Sequence, residues 1–87
     1  MAYTFEFSSE AQNNLQGLDA IVARRIVKKL VWFADQVDPT KFSTRLHGAD
    51  SVNRRFRIGD YRVVANIDRK KKNLLIVRIG HRSDVYR

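Results

Sequence analysis

The feature that most constrains this chain is a two-residue break, Gly59-Asp60, between two runs of alternating side chains, Arg54 to Ile58 and Tyr61 to Ile67. So short a gap joins antiparallel neighbours, and Gly-Asp suits the tight turns whose backbone takes a positive φ. A third β-type run, Leu74 to Ile79, follows the looser turn Asp68-Arg69-Lys70-Lys71-Lys72-Asn73, so the second half of the chain reads as two hairpins in series. Alternation then sorts the side chains. Arg55 and Arg57 share one face and Phe56 and Ile58 the other, while Arg62 points away from Tyr61 and Val63. One face is cationic and the other apolar, with Tyr61 on the core side.

The first half reads differently. Tyr3-Thr4-Phe5-Glu6-Phe7 alternates as a strand does, and Ser8-Ser9-Glu10 then offers a capping hydroxyl and an acid for a first turn. Ala11, Leu15 and Leu18 recur at helical spacing, which predicts a short helix from about Ser9 to Leu18. Asp19 can cap a second helix. On it Val22, Ile26, Leu30, Phe33 and Val37 form one stripe, Arg24, Arg25, Lys28 and Lys29 fall largely elsewhere, and Asp38-Pro39 closes it. Trp32 sits off the stripe and is expected to be partly exposed. Residues 39–53, with Pro39 and Gly48 and no clear period, read as a connecting loop. The expected fold is α+β in the order β-α-α-β-β-β, two N-terminal helices packed on one face of a small, mainly antiparallel sheet, as a single domain over residues 1–87.

Composition narrows the function. At 87 residues, 44% of them hydrophobic and nine aromatic, there is material for one packed core and no room for two. The absence of cysteine removes disulfides, thiol nucleophiles and Cys-based zinc sites, and no His/Asp/Glu cluster has ligand spacing, so neither a metal nor a cofactor is expected. The longest apolar run, Leu30 to Ala34, falls far short of the ~20 residues that cross a bilayer, and the N-terminus has no basic-then-apolar leader pattern. A cytoplasmic location and no membrane partner are expected. The charge is one-sided. Residues 1–52 carry six cations and six anions, whereas residues 53–87 carry eleven cations and three anions, so the whole net charge of +8 sits on the hairpins. That is the footprint of a polyanion-binding surface.

Arg55-Phe56-Arg57-Ile58-Gly59-Asp60-Tyr61-Arg62-Val63-Val64, followed by Val77-Arg78-Ile79-Gly80-His81-Arg82-Ser83-Asp84-Val85-Tyr86, resembles the RelE/ParE superfamily of bacterial and archaeal toxins, on its RelE branch. The likeness lies in a basic strand leading to Gly-x-Tyr-Arg, a last strand ending in Gly-His-Arg, and a following Val-Tyr pair. It implies the toxin of a type II toxin-antitoxin system: a metal-independent, ribosome-dependent endoribonuclease that cuts messenger RNA in the A site by 2′-hydroxyl attack on the adjacent phosphate. Carried over by position, Arg55 and Arg57 match the basic pair, Arg62 the Tyr-Arg arginine, His81 or Arg82 the late basic position, and Tyr86 the C-terminal tyrosine. Arginine, with a pKa above about 12, does not readily surrender a proton. Arg55, Arg57 and Arg62 therefore read as phosphate clamps, His81 as the acid or base and Tyr86 as the residue that stacks on or orients the nucleotide. Arg54 and Lys70, Lys71 and Lys72 would grip RNA without specifying it. The implied partners are the ribosome, messenger RNA and a cognate RelB-like antitoxin rich in acidic and apolar residues, in a toxin-antitoxin hetero-oligomer. Two alternatives stand beside this: a ParE-like toxin that inhibits DNA gyrase, and a non-catalytic nucleic-acid-binding module of the same fold.

Overall fold

The computed structural model describes residues 2–45 and 53–81. Its elements run β1 (Thr4–Phe7), α1 (Ser9–Gln16), α2 (Ala20–Ala34), a 3-10 turn (Pro39–Phe42), β2 (Ser43–Arg45), β3 (Asn53–Ile58), β4 (Tyr61–Asp68) and β5 (Asn73–His81). The strands form one mixed sheet in the order β1-β5-β4-β3-β2, with β1 parallel to β5 and the other pairs antiparallel. Both hairpins are present. Gly59 takes φ +60° at the first position of the β3–β4 turn while Asp60 keeps a negative φ, the backbone pattern of a type II′ turn.

β4 lies at the centre of the sheet, paired along its whole length with β5 and over Tyr61–Asn66 with β3. Phe56, Ile58, Val63, Ala65, Leu74, Ile76 and Ile79 form the sheet's side of the core. Against them α2 packs Ile26, Leu30, Phe33 and Ala34, with the rings of Phe33 and Phe56 4.6 Å apart. A bulge between Val64 and Ala65 shifts the register with β5, so that Val64 pairs with Arg78 and Ala65 with Ile76. The shift keeps both Ile76 and Ile79 in the core although they are three residues apart.

Helix α1 closes the edge that β1 leaves open. β1 pairs with β5 only as far as Phe7 and Ile76. Ser8 continues the pairing by donating its N–H to the Ile76 carbonyl at 2.9 Å and its hydroxyl to the Val77 carbonyl at 2.8 Å. The same oxygen accepts from Ala11 N at 3.0 Å and so caps the helix. One turn further on, Asn14 Oδ1 accepts from Ile79 N at 3.0 Å. The exposed ladder of β5 is thereby satisfied by side chains and presents no bare strand edge there.

Three expectations change. Helix α2 stops at Ala34, before Asp38-Pro39, so Val37 falls beyond it and is 91% exposed rather than on the core stripe. Helix α1 ends at Gln16, not Leu18, although Leu15 and Leu18 both pack on the core. The loop expected over residues 39–53 contains a strand: Ser43–Arg45 pairs with Arg54–Phe56, which makes five strands where four were expected. Asp38 organises the entry to it, accepting from Thr40 N at 3.1 Å and from the Thr40 hydroxyl, which in turn accepts from Arg69 Nη2 at 3.0 Å. The Thr40 hydroxyl holds the Asp38 carboxyl below its ordinary value of 3.8, over an opposing push from desolvation, with the Thr40 N–H and the charges of Arg69 and Lys41 adding to the lowering. No helix among the described residues is long and apolar enough to cross a membrane.

Leu30 is fully buried, so Leu30→Ala is expected to lower the unfolding free energy by about 2–5 kcal/mol in urea titrations. Asp38, whose folded pKa is depressed, adds stability above its unfolded pKa of about 3.9, and this is lost as pH falls through the lower folded value. The stability gap between wild type and Asp38→Asn should therefore be open at pH 7 and shrink progressively below about pH 4.

Candidate nucleic-acid interface

Register decides which basic side chains meet. Arg57 stands directly across from Arg62, and Arg55 directly across from Val64. Directly opposed residues share a face, so Arg55, Arg57 and Arg62 gather on the side of the sheet away from Phe56 and Val63. On the other side of β4, Gly80 lies across from Arg62 and Arg78 across from Val64. Arg57 is exposed and Arg55 half-buried, but Arg62 is only 7% exposed, its Nη1 donating to the Tyr61 carbonyl at 3.3 Å.

The other sequence-based candidates are dispersed. His81 pairs with Tyr61, so its ring shares the Tyr61 face and meets that ring edge-on at 5.6 Å, on the opposite side of the sheet from Arg62. Tyr61 packs against the core as expected. Arg54 falls on the Phe56 side of β3, and its Nε donates to Ser43 Oγ across the β2–β3 pair, which gives it a structural bond. Lys70, Lys71 and Lys72 are exposed in the β4–β5 turn, where Asp68 Oδ1 accepts from the N–H groups of Lys70 and Lys71 at 3.0 Å each. That turn closes the far end of β4, about 20 Å along the strand from Arg62. Arg82 and Tyr86 lie outside the described residues, as do His47 and Asp84.

Two groups of cations were missed in the sequence. Arg78 pairs with Glu10 of α1 at 3.0 Å, with both side chains about half exposed. Arg25, Lys28 and Lys29 of α2 converge with Arg57 and the β3–β4 turn on a cleft of about 400 Å³ that also contains Trp32. Their i, i+3, i+4 spacing was the available signal. Counting charge along the chain concealed it, because three of the acids in that sum are engaged elsewhere: Glu10 pairs with Arg78, Asp19 caps α2 and Asp38 binds Thr40. Among the described residues, no group of three or more His, Asp and Glu side chains could hold a metal ion.

The sequence model of the ParE toxin of the type II toxin-antitoxin system parDE matches residues 5–86. The chain belongs to the ParE toxin family. It is therefore a type II toxin of the RelE/ParE superfamily, and solved toxins of that superfamily share its fold. The archaeal RelE–RelB complex from Pyrococcus horikoshii OT3 contains a chain 27% identical, with a TM-score of 0.74 over 94% of this chain and 97% of that one. The toxin-antitoxin complex RelBE2 from Mycobacterium tuberculosis matches with a TM-score of 0.77 at 23% identity, over 91% of this chain and 96% of that one. The intact Escherichia coli RelBE complex matches with a TM-score of 0.73 at 20% identity, over 91% and 95%. No curated protein matches the sequence significantly.

Arg57 is exposed, so Arg57→Gln is expected to change the unfolding free energy by no more than about 0.5 kcal/mol in urea titrations.

Proposed function

We propose that this toxin is a metal-independent, ribosome-dependent messenger RNA endoribonuclease that inhibits translation, with Arg55, Arg57 and Arg62 as its phosphate clamp. The observation that carries the reading is the Arg57–Arg62 pair, two arginines in register across β3 and β4 with Arg55 two residues along on the same face. Cleavage by the ribose 2′-hydroxyl places extra negative charge on the scissile phosphate as the oxygen attacks, and fixed cations at that point stabilise the transition state more than the ground state. Guanidinium groups suit this role because they stay charged and bind phosphate oxygens in pairs.

Proton transfer needs a different group. His81 carries the one imidazole among the described residues, and its ring shares the Tyr61 face. On that ground we assign it to packing against Tyr61, and assign the nucleotide-orienting and remaining cationic roles to Tyr86 and Arg82. General acid or base catalysis contributes roughly 10²- to 10⁴-fold. A His81→Gln toxin that keeps more than a tenth of wild-type cleavage supports the assignment, and a larger loss returns the proton-transfer role to His81.

Similar folds occur in complexes named for RelB antitoxins, and the +8 charge of this chain suits an acidic partner. We take a RelB-like antitoxin as its cytoplasmic partner in a hetero-oligomer. The ParE name of the matching family favours one competing reading, a gyrase inhibitor, and the same arginine face without chemistry would make a nucleic-acid-binding module.

The test is primer extension on a reporter messenger in a translating extract containing EDTA-treated toxin. Cuts that need ribosomes, survive removal of loosely held metal from the toxin and drop at least about a hundredfold in Arg62→Ala are expected. Intact messenger together with blocked gyrase supercoiling would replace this reading with the gyrase one.

A further inference from the structure

The cleft between α2 and the β3–β4 turn is built from residues outside the sequence motif that points to the toxin family, apart from Arg57 and the turn itself. Four cations line it. Among the described residues, no carboxylate lies within ion-pair distance of Arg25, Lys28, Lys29 or Arg57, and the one ion pair, Arg78–Glu10, lies elsewhere. Trp32 is 42% exposed in the same cleft, with its ring held edge-on by Phe42 at 4.9 Å and by Phe33 at 5.5 Å. Lys29 Nζ sits 4.5 Å from the Trp32 ring centroid, which keeps an ammonium beside an exposed aromatic surface.

Arg57 lies where the two surfaces approach each other, at the β3–β4 turn. It lines the cleft and stands opposite Arg62, whose face of the sheet points away from α2, so an anionic chain passes from one surface to the other around that turn. On α2, Lys28 and Lys29 are the i+3 and i+4 neighbours of Arg25, each with its Cβ about 5–6 Å from that of Arg25, so the three cations form a cluster. A cluster of cations beside one exposed aromatic ring matches the way single-stranded nucleic acid is gripped without regard to sequence.

We infer that this cleft is a second RNA subsite, in which Arg25, Lys28 and Lys29 hold the phosphates of a single strand leaving the arginine face and Trp32 receives one of its bases. The inference rests on the RNA-cleaving reading above, and it adds a contact that extends the bound strand beyond the reacting phosphate. An acidic protein segment is the competing occupant. RNA is favoured because Trp32 offers an exposed ring on which a base stacks, beside the cations that would hold its phosphates.

Trp32 is the chain's sole tryptophan, so its emission reports on the cleft in the wild-type protein. The experiment titrates the full-length toxin with a 12-nucleotide single-stranded RNA of mixed sequence, following Trp32 emission and RNA anisotropy together, with polyglutamate as a second titrant. Quenching of Trp32 in step with RNA binding is expected. In Lys28→Gln/Lys29→Gln, the slope of log affinity against log salt should fall by about two. Binding by anisotropy with unchanged Trp32 emission overturns the inference, and so does quenching by polyglutamate at least as strong as that by RNA. The two readings fail separately: messenger cleavage without quenching removes the subsite, whereas quenching without cleavage removes the nuclease and leaves the subsite standing.

Discussion

The structure depends on the register of β4. Its two flanking pairings are fixed by burial, because Val63 and Ala65 must face the helices together with Phe56 from β3 and with Ile76 and Ile79 from β5. A slip of one residue would turn each apolar side chain outward. Burying a single large apolar side chain contributes about 1.5–3 kcal/mol, several times the repulsion between two opposed arginines. The core therefore wins, and Arg57 and Arg62 are held face to face as a by-product of packing on the other side of the sheet. Hydrophobic register on one face of the sheet thus decides which cations stand across from each other on the other face.

Linear charge bookkeeping and spatial charge placement give different pictures of this toxin. Along the sequence the first 52 residues are balanced and the hairpins carry the excess. In space, Arg25, Lys28 and Lys29 extend the basic surface from the sheet to α2, while Asp19 and Asp38 are consumed in local hydrogen bonds at the helix start and the 3-10 turn. Acids used as caps do not neutralise a distant cationic face beyond a Debye length of about 8–10 Å.

Much of this fold was legible because its signals are local. The Gly59 turn, the alternation in β1 and β3, and the Ile26-Leu30-Phe33 stripe each declare themselves within a few residues. Strand β2 did not, since Ser43-Thr44-Arg45 has no apolar alternation and becomes a strand only because β3 offers it a ladder. Helix α2 ended early because Asp35 and Gln36 close its last turn back onto Val31, Trp32 and Phe33, whereas Pro39 had suggested a later stop. At the site, the arginine face followed from period two. The position of His81 could have followed in the same way, because it has the parity of Ile79, but the motif drew attention to its neighbours in sequence instead of its face. The bulge at Val64/Ala65 left no mark that periodicity could detect.

The parallel pairing of β1 with β5 joins residues 4–7 to residues 73–76. During synthesis the first strand emerges long before its partner exists, and the helix that follows it reaches the carbonyls of Ile76 and Val77 only through Ser8. Closing the sheet across most of the chain is a high-contact-order step, slower than forming either hairpin. A nascent chain therefore cannot complete the sheet before residues 73–76 have been made, so the β3–β4 hairpin with its arginine face is available to fold before the edge that β1 supplies.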